Sequence, residues 1–333
     1  MTEQSKDIVE WTEKHGAVWT IDQALYYGQT AHRMHTTADA GKGLTDALVA
    51  SMSANDAITQ MLSCEMQGLV LADDSDDVVG AYGKMGKDEL AILAKNTVLA
   101  SSGFANNPDM LAQYCPEAVD AFKMVAPGAT GEGILWAQEL GANLQNMGAY
   151  QGHAFSRSRQ RQTLEQGIAN NGGIMVNQEA TASPTNTPAI PKLSPHVIAQ
   201  SDNIAYLCFT DAQVAKSAKY AEWEAEGIVM KGASSAELPP PSGRTPRRWK
   251  RRSQSIRPPS KRAKDNSNRS HLAQEARWPV LRSEGTGEIR HTQGGMATDL
   301  AGHVLRADKS LIKGLYAAGG CTEGFSSRGG AAT

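Results

Sequence analysis

Apolar positions change their period several times along the chain, and each change marks an expected element. At the start, Ile8, Val9 and Trp11 fall on one side of a helix expected over residues 6–15, with Gly16 as its stop. A second helix is expected over 44–52, and the polar, glycine-punctuated QTAHRMHTTADAGKG between the two reads as a loop. From Glu65 the apolar runs shorten to strand length, as GLVL, VVGAY, LAIL and TVLA, with the acidic turn DDSDD between the first two. Short strands joined by tight turns predict a small antiparallel sheet.

Helical spacing then returns. NNPDMLAQYCPEAVDAF reads as a broken helix, with Pro108 near its start and Pro116 as an interruption. TGEGILWAQELGANL places Thr130 where an N-cap is wanted, spaces Ile134, Leu135, Ala137 and Leu140 for one face, and ends at Gly141. IAYLCF reads as a strand that meets Thr210, with Gln213 completing a capping box for a helix running to Gly227. That unit predicts an α+β module. GGMATDLAGHVLRADKSLIKGLYAAGG gives short strands, a glycine turn at Gly302 and a strand through Leu315 to Ala318 that ends in paired glycines. Residues 183–192 and 234–271 show neither period and are rich in Pro, Ser or Arg, so little core is expected from them.

Length and composition narrow the class. A chain of 333 residues has room for two domains and a core that can bury a cofactor. Cys64, Cys115, Cys208 and Cys321 are scattered without a CxxC pair, which suggests neither a zinc site nor a disulfide framework and fits a reducing cytoplasm. No apolar run reaches membrane-span length, and Met1 leads into a polar segment, so neither export nor membrane insertion is expected. The net charge of −2 hides a cluster of ten Lys and Arg with no acid over residues 244–264. Such a cluster could bind nucleic acid or another polyanion, but its prolines, its single aromatic residue, Trp249, and the lack of a reading motif argue against that.

The chemistry concentrates near the end, in GLYAAGGCTEGFSSRGGAAT, where small residues after a strand let backbone approach a flat or phosphorylated ligand. On chemistry alone, a glycine-rich turn before a helix explains it better. Together with other blocks, however, it resembles the flavoprotein subunits of fumarate reductase and succinate dehydrogenase. In that family a GLYAAGE strand precedes an Arg followed by two glycines, and here Arg328, Gly329 and Gly330 stand in those places, with Gly319 and Gly320 closing the strand. TVLASSGFANNPDML resembles the family's ATGGF element through Ala100, Ser101, Ser102 and Gly103. RHTQGG resembles HHTMGG and makes His291 the family's substrate-binding histidine; GEGI resembles GDGI, and His153 in YQGHA matches the histidine after it. Ordered blocks of this kind cover about two-thirds of the chain, which isolated glycine motifs rarely do.

The resemblance implies FAD as cofactor and a small-molecule substrate, a carboxylate or a ketone, clamped by His153, His291 and Arg328 while hydride passes to or from the flavin. Taken singly, His153 reads better as a backbone-bonded loop histidine, His291 is evenly balanced, and Arg328 could be a solvated helix-start residue whose fork nevertheless suits a carboxylate. His32, Arg33 and His35 receive no role, and Cys321 reads as inert.

The chain also departs from the family. It contains no GxGxxG turn, and Gly320 replaces an acid that holds the flavin's ribityl chain in relatives. The cap-domain arginine that donates a proton in fumarate reductases has no counterpart in ATASPTNTPAIPK, whereas SPHVIAQSDNIAYLCFTDA looks more like tricarballylate and ketosteroid dehydrogenases. Residues 155–166, 180–192 and 234–278 break in composition while their flanks keep the family pattern, which reads as out-of-frame translation. The expectation is a mixed α/β protein: an incomplete FAD-binding Rossmann-like domain from 1–150 and 288–333, and an inserted α+β cap over 151–287. It is read as truncated at both ends, with weak or absent FAD binding unless a partner chain supplies the nucleotide-binding segment.

Overall fold

The computed structural model describes residues 3–22, 30–157, 162–163, 174–178, 190–210, 220–232 and 280–324. It divides into two compact units, residues 1–65 with 84–88, and residues 66–83 with 89–333. In the first unit, helix α1 (Ser5–Lys14) and strand β1 (Trp19–Ile21) are followed by β2 (His35–Thr37) and helix α2 (Gly41–Ser53). Both expected helices are present, α2 beginning three residues earlier than its apolar pattern does. Helix α1 buries Thr12 and leaves Ile8 and Trp11 exposed. The reason lies in hydrogen bonding: the Thr12 hydroxyl donates to the Val9 carbonyl at 2.8 Å and accepts from the Trp19 indole at 3.0 Å.

Strands β3 (Cys64–Leu71), β4 (Val78–Met85) and β5 (Asp88–Leu93) form a three-stranded sheet in that order. The next strand, β6 (Thr97–Leu99), expected in the same sheet, belongs to another. Helix α3 (Pro108–Tyr114) starts under an Asn107 cap that accepts from the Asp109 and Met110 amides, and breaks at Cys115 before the single turn Pro116–Ala118, as the prolines predict. After β7 (Phe122–Lys123) comes α4 (Glu132–Glu139), whose cap is Gly131 at φ +82°. Thr130 is thus displaced by one residue from the expected capping position, and its hydroxyl pairs with the Glu132 carboxylate instead.

The remaining elements are β8 (Leu144–Gln145), β9 (Tyr150–Arg157), β10 (Gln162–Thr163), β11 (Ile174–Val176), α5 (Ile190–Ile198), β12 (Ile204–Thr210), α6 (Tyr220–Ala225), β13 (Met230–Gly232), β14 (Val280–Thr292), β15 (Gly295–Met296), β16 (His303–Leu305) and β17 (Leu311–Ala317). Helix α5 opens inside a stretch read as aperiodic and even carries Pro195; buried Ser194 and Val197 anchor it. Thr210 ends β12, while Gln213 and the expected start of the following helix lie outside the described residues; α6 falls within the expected range and precedes Gly227 at φ +66°.

The largest sheet runs β10-β9-β14-β12-β11, with β13 and β7 also pairing with β14. A smaller one runs β16-β17-β6, in which β17 and β6 are parallel. Two apolar cores follow from this layout. One gathers Leu99, Phe104, Leu111, Ile134, Ile289 and Leu315; the other packs Val197, Leu207, Phe209, Trp223 and Ile228 around β12. Each fully buried Leu, Ile or Phe contributes about 1.5–3 kcal/mol of transfer free energy, so these cores hold the two sheets that carry the candidate site.

Candidate functional site

The parallel register of β6 and β17 sets Leu315 beside Thr97, Tyr316 beside Val98 and Ala317 beside Leu99. Their carboxyl ends therefore emerge side by side, and the Ala318 amide donates to the Leu99 carbonyl at 3.0 Å. Ligands of open α/β sheets bind at such carboxyl ends. Ala100, Gly319 and Gly320 are exposed there. A Cβ on Gly319, which has φ +75°, would have nothing within 4 Å.

Two other glycines are set by close approach. A Cβ on Gly103 would come within 2.1 Å of the Thr292 hydroxyl oxygen, the same atom that accepts from the Phe104 amide at 2.9 Å. Gly103 thereby lets the end of β14, with His291, close against the loop that follows β6. At Gly320 a Cβ would lie 3.2 Å from the Gly103 nitrogen and 3.3 Å from the Ser102 Cα. A side chain there would need the loop after β6 to give by a few tenths of an ångström. Ser102 sits at φ +66°. Among the described residues the buried Ser101 hydroxyl has no hydrogen-bond partner of ordinary geometry, the Cys321 thiol beside it being a weak one. That hydroxyl is turned inward against α4, where a Cβ on Gly133 would come within 2.5 Å of it. The exposed backbone at Ala100, Gly319 and Gly320, with open space above Gly319, fits a flat ligand laid over the strand ends.

Cys321 lies in the same turn. Its thiol donates to the Leu99 and Ala318 carbonyls, each at 3.2 Å, and burial raises its pKa, which keeps it a thiol.

The histidines lie on neighbouring strands of the large sheet. In the β14–β9 register Glu288 faces His153, Ile289 faces Gly152 and His291 faces Gln151, with an irregularity between Ile289 and His291 that places Arg290 on a bulge. His153 is 6 % exposed and Glu288 is 0 % exposed. The Glu288 carboxylate accepts from the Arg290 Nε at 2.5 Å and lies 4.0 Å from the His153 Nδ1. Burial, then the charge of Arg290, pushes the His153 pKa down to about 3. Glu288 would pull the other way, but its charge is balanced by Arg290, so the downward direction wins. His291 is exposed at the surface, yet the protein packed behind its ring still lowers its pKa; its Nε2 lies 3.4 Å from the Gln293 amide nitrogen.

With both pKa values below that of an ordinary histidine, the two imidazoles are mostly neutral at pH 7 and serve as hydrogen-bonding groups. The structure brings Ala100, Ser101, Ser102, Gly103, Gly319, Gly320 and His291 to one corner through Thr292, and sets His153 one strand over. Arg328, Gly329 and Gly330 lie outside the described residues, as does the basic segment 244–264. Sequence reasoning missed Thr292 and Glu288. Neither carries a local signal, because each owes its place to a strand partner far along the chain.

Among the described residues no helix is long and apolar enough to cross a membrane. A family model for the FAD binding domain matches residues 1–331. The fumarate reductase (cytochrome) of Shewanella frigidimarina is 28 % identical over 333 residues, a match covering 97 % of this chain and 57 % of that protein. The chain therefore spans little more than half the length of this curated relative. Among solved structures, a flavocytochrome c3 fumarate reductase in its open conformation superposes with a TM-score of 0.79 at 26 % identity, over 98 % of this chain and 58 % of that one. A 3-ketosteroid-delta4-(5alpha)-dehydrogenase from Rhodococcus jostii RHA1 shares the fold, with a TM-score of 0.69 at 22 % identity over 98 % of this chain and 74 % of that one. These matches bear out the mixed α/β flavoprotein reading and give no support to the polyanion-binding alternative. By its family match the chain belongs to the FAD-binding domain family, with fumarate reductase flavoproteins among its relatives.

Proposed function

We propose that this chain carries the flavin-facing and substrate-facing parts of an FAD-dependent oxidoreductase that moves hydride between flavin and a small carboxylate or ketone. The observation that carries this reading is the meeting of Ala100–Gly103, Gly319–Gly320 and the His291–Thr292 strand end at the carboxyl ends of two parallel strands. When bound, FAD supplies the hydride acceptor or donor. Gly103, Gly319 and Gly320 would hold the cofactor through their backbone, and by the resemblance Gly329 and Gly330 would also bind it. Ala100, Ser101 and Ser102, in the loop that follows β6, would line the same site.

His153 and His291, being neutral, orient substrate oxygens by hydrogen bonds, and Arg328 supplies the positive charge, its two-pronged guanidinium matching a carboxylate. In this reading residues 1–150 and 288–333 make the cofactor domain, and 151–287 make a cap over the substrate. The four free thiols favour a cytoplasmic setting.

The test is visible absorption of the purified chain before and after incubation with FAD, followed by gel filtration. Flavin bands that co-elute with the protein are the expected result, and dicarboxylates and ketosteroids are then screened for reoxidation of the reduced flavin. Flavin that elutes wholly apart from the folded protein would overturn the proposal.

A further inference from the structure

His153 stands on β9 with its Nδ1 edge 4.0 Å from one carboxylate oxygen of Glu288 on β14. The same oxygen accepts from the Arg290 Nε. Glu288 is wholly buried, and its backbone carbonyl accepts from the buried Ser194 hydroxyl of α5 at 3.2 Å, so both ends of the residue are fixed. A carboxylate in that position is costly to bury, and a buried charge is retained where a partner balances it and its geometry matters. Glu288 and Arg290 stand two residues apart on β14 and so share a face, which sets the guanidinium beside the carboxylate.

We propose that Glu288 and Arg290 are positioning residues for His153: the carboxylate holds the Nδ1 edge of the ring, and the guanidinium balances the carboxylate so that the ring stays uncharged. Carboxylate, backbone or water contacts to one ring nitrogen set which nitrogen carries the proton and how the ring is turned. Here a proton on Nδ1 faces Glu288, and Nε2 is the acceptor. The charges facing His153 come from β14, as Glu288 and Arg290; on α5, which also packs against β9, His196 is the one ionisable group among the described side chains. The proposal rests on the reading of His153 as a substrate-orienting residue, but its test needs no substrate.

The test is nitrogen NMR of the full chain labelled at histidine, with folding followed by circular dichroism. In the unaltered protein His153 is expected to show one fixed neutral tautomer, protonated at Nδ1, with no titration between pH 5 and 8. Arg290→Gln leaves the buried carboxylate unbalanced, so the ring gains its second proton within that range, and Arg290→Lys restores the neutral ring. Glu288→Gln lets both tautomers appear. If the unaltered protein shows exchanging tautomers or an ordinary titration, the proposal fails whatever the variants do. It fails equally if folded Arg290→Gln and Glu288→Gln leave the His153 signals unchanged. A fixed ring whose His153→Ala replacement leaves dicarboxylate and ketosteroid binding unaltered would instead sink the substrate-orienting role and leave the positioning pair standing.

Discussion

A single buried imidazole is enough to make this protein acid-sensitive. An unfolded histidine takes its proton near pH 6.5, whereas His153 in the folded protein takes it only near pH 3. Above pH 6.5 neither state is protonated and the full stability is present. As pH falls through 6.5, the unfolded chain gains a proton that the folded one refuses, and stability declines until about pH 3. Integrated from pH 7 to pH 5 the loss is about 2 kcal/mol. Urea denaturation at the two pH values, in the unaltered protein and in His153→Gln, isolates this contribution: the variant is expected to lose about 2 kcal/mol less between them. Equal losses would mean that the folded protein protonates His153 as readily as the unfolded chain does. The neutrality of the ring is not legible in the motif. Ring type and neighbours in the motif are local, but burial and the pairing of Glu288 with Arg290 come from the sheet.

At the scale of elements, the β6–β17 pairing carries the site, and Leu315 is its buried centre. Leu315 is 0 % exposed and faces Thr97 across the parallel register, while Leu311, at the start of the same strand, is 42 % exposed. Leu315→Ala should cost about 2–5 kcal/mol through lost burial and the cavity left behind. Leu311→Ala should cost about 0.5 kcal/mol or less. Equilibrium urea unfolding of both variants checks the contrast, and equal losses would refute the packing described. The same strands show what is legible in sequence. Helices α1, α2 and the proline-broken α3 are readable because periodicity, caps and prolines act over a few residues. The glycines at 103, 319 and 320 are readable as a close-approach surface for the same reason. The partner of β6 is not, because parallel pairing joins residues more than two hundred positions apart. Strand β14 is equally hidden: VLRSEGTGEIRHT carries charges and the glycines Gly285 and Gly287, which argue against a strand until neighbours pair with it.

For the molecule as a whole, the decisive pattern is that the large sheet joins segments separated by the breaks in composition. Strands β9, β14 and β12 lie side by side in one sheet, while residues 155–166, 180–192 and 234–278 fall at or between them in sequence. The family match nevertheless runs across all three, from residue 1 to 331. Flanks that keep family order around stretches whose composition breaks abruptly are what two compensating shifts of reading frame would produce, since codons outside the shifted stretch are untouched. The ten basic residues without an acid over 244–264 fit the same origin, because a shifted frame samples codons without selection for charge balance. Reading the coding DNA of each stretch in its two other frames is expected to restore strand or helix periodicity continuous with the flanks. Should neither frame do so in any stretch, these segments are the protein's own, and the basic one regains its claim to a function. Should they do so, the corrected chain is the form in which flavin binding ought to be measured.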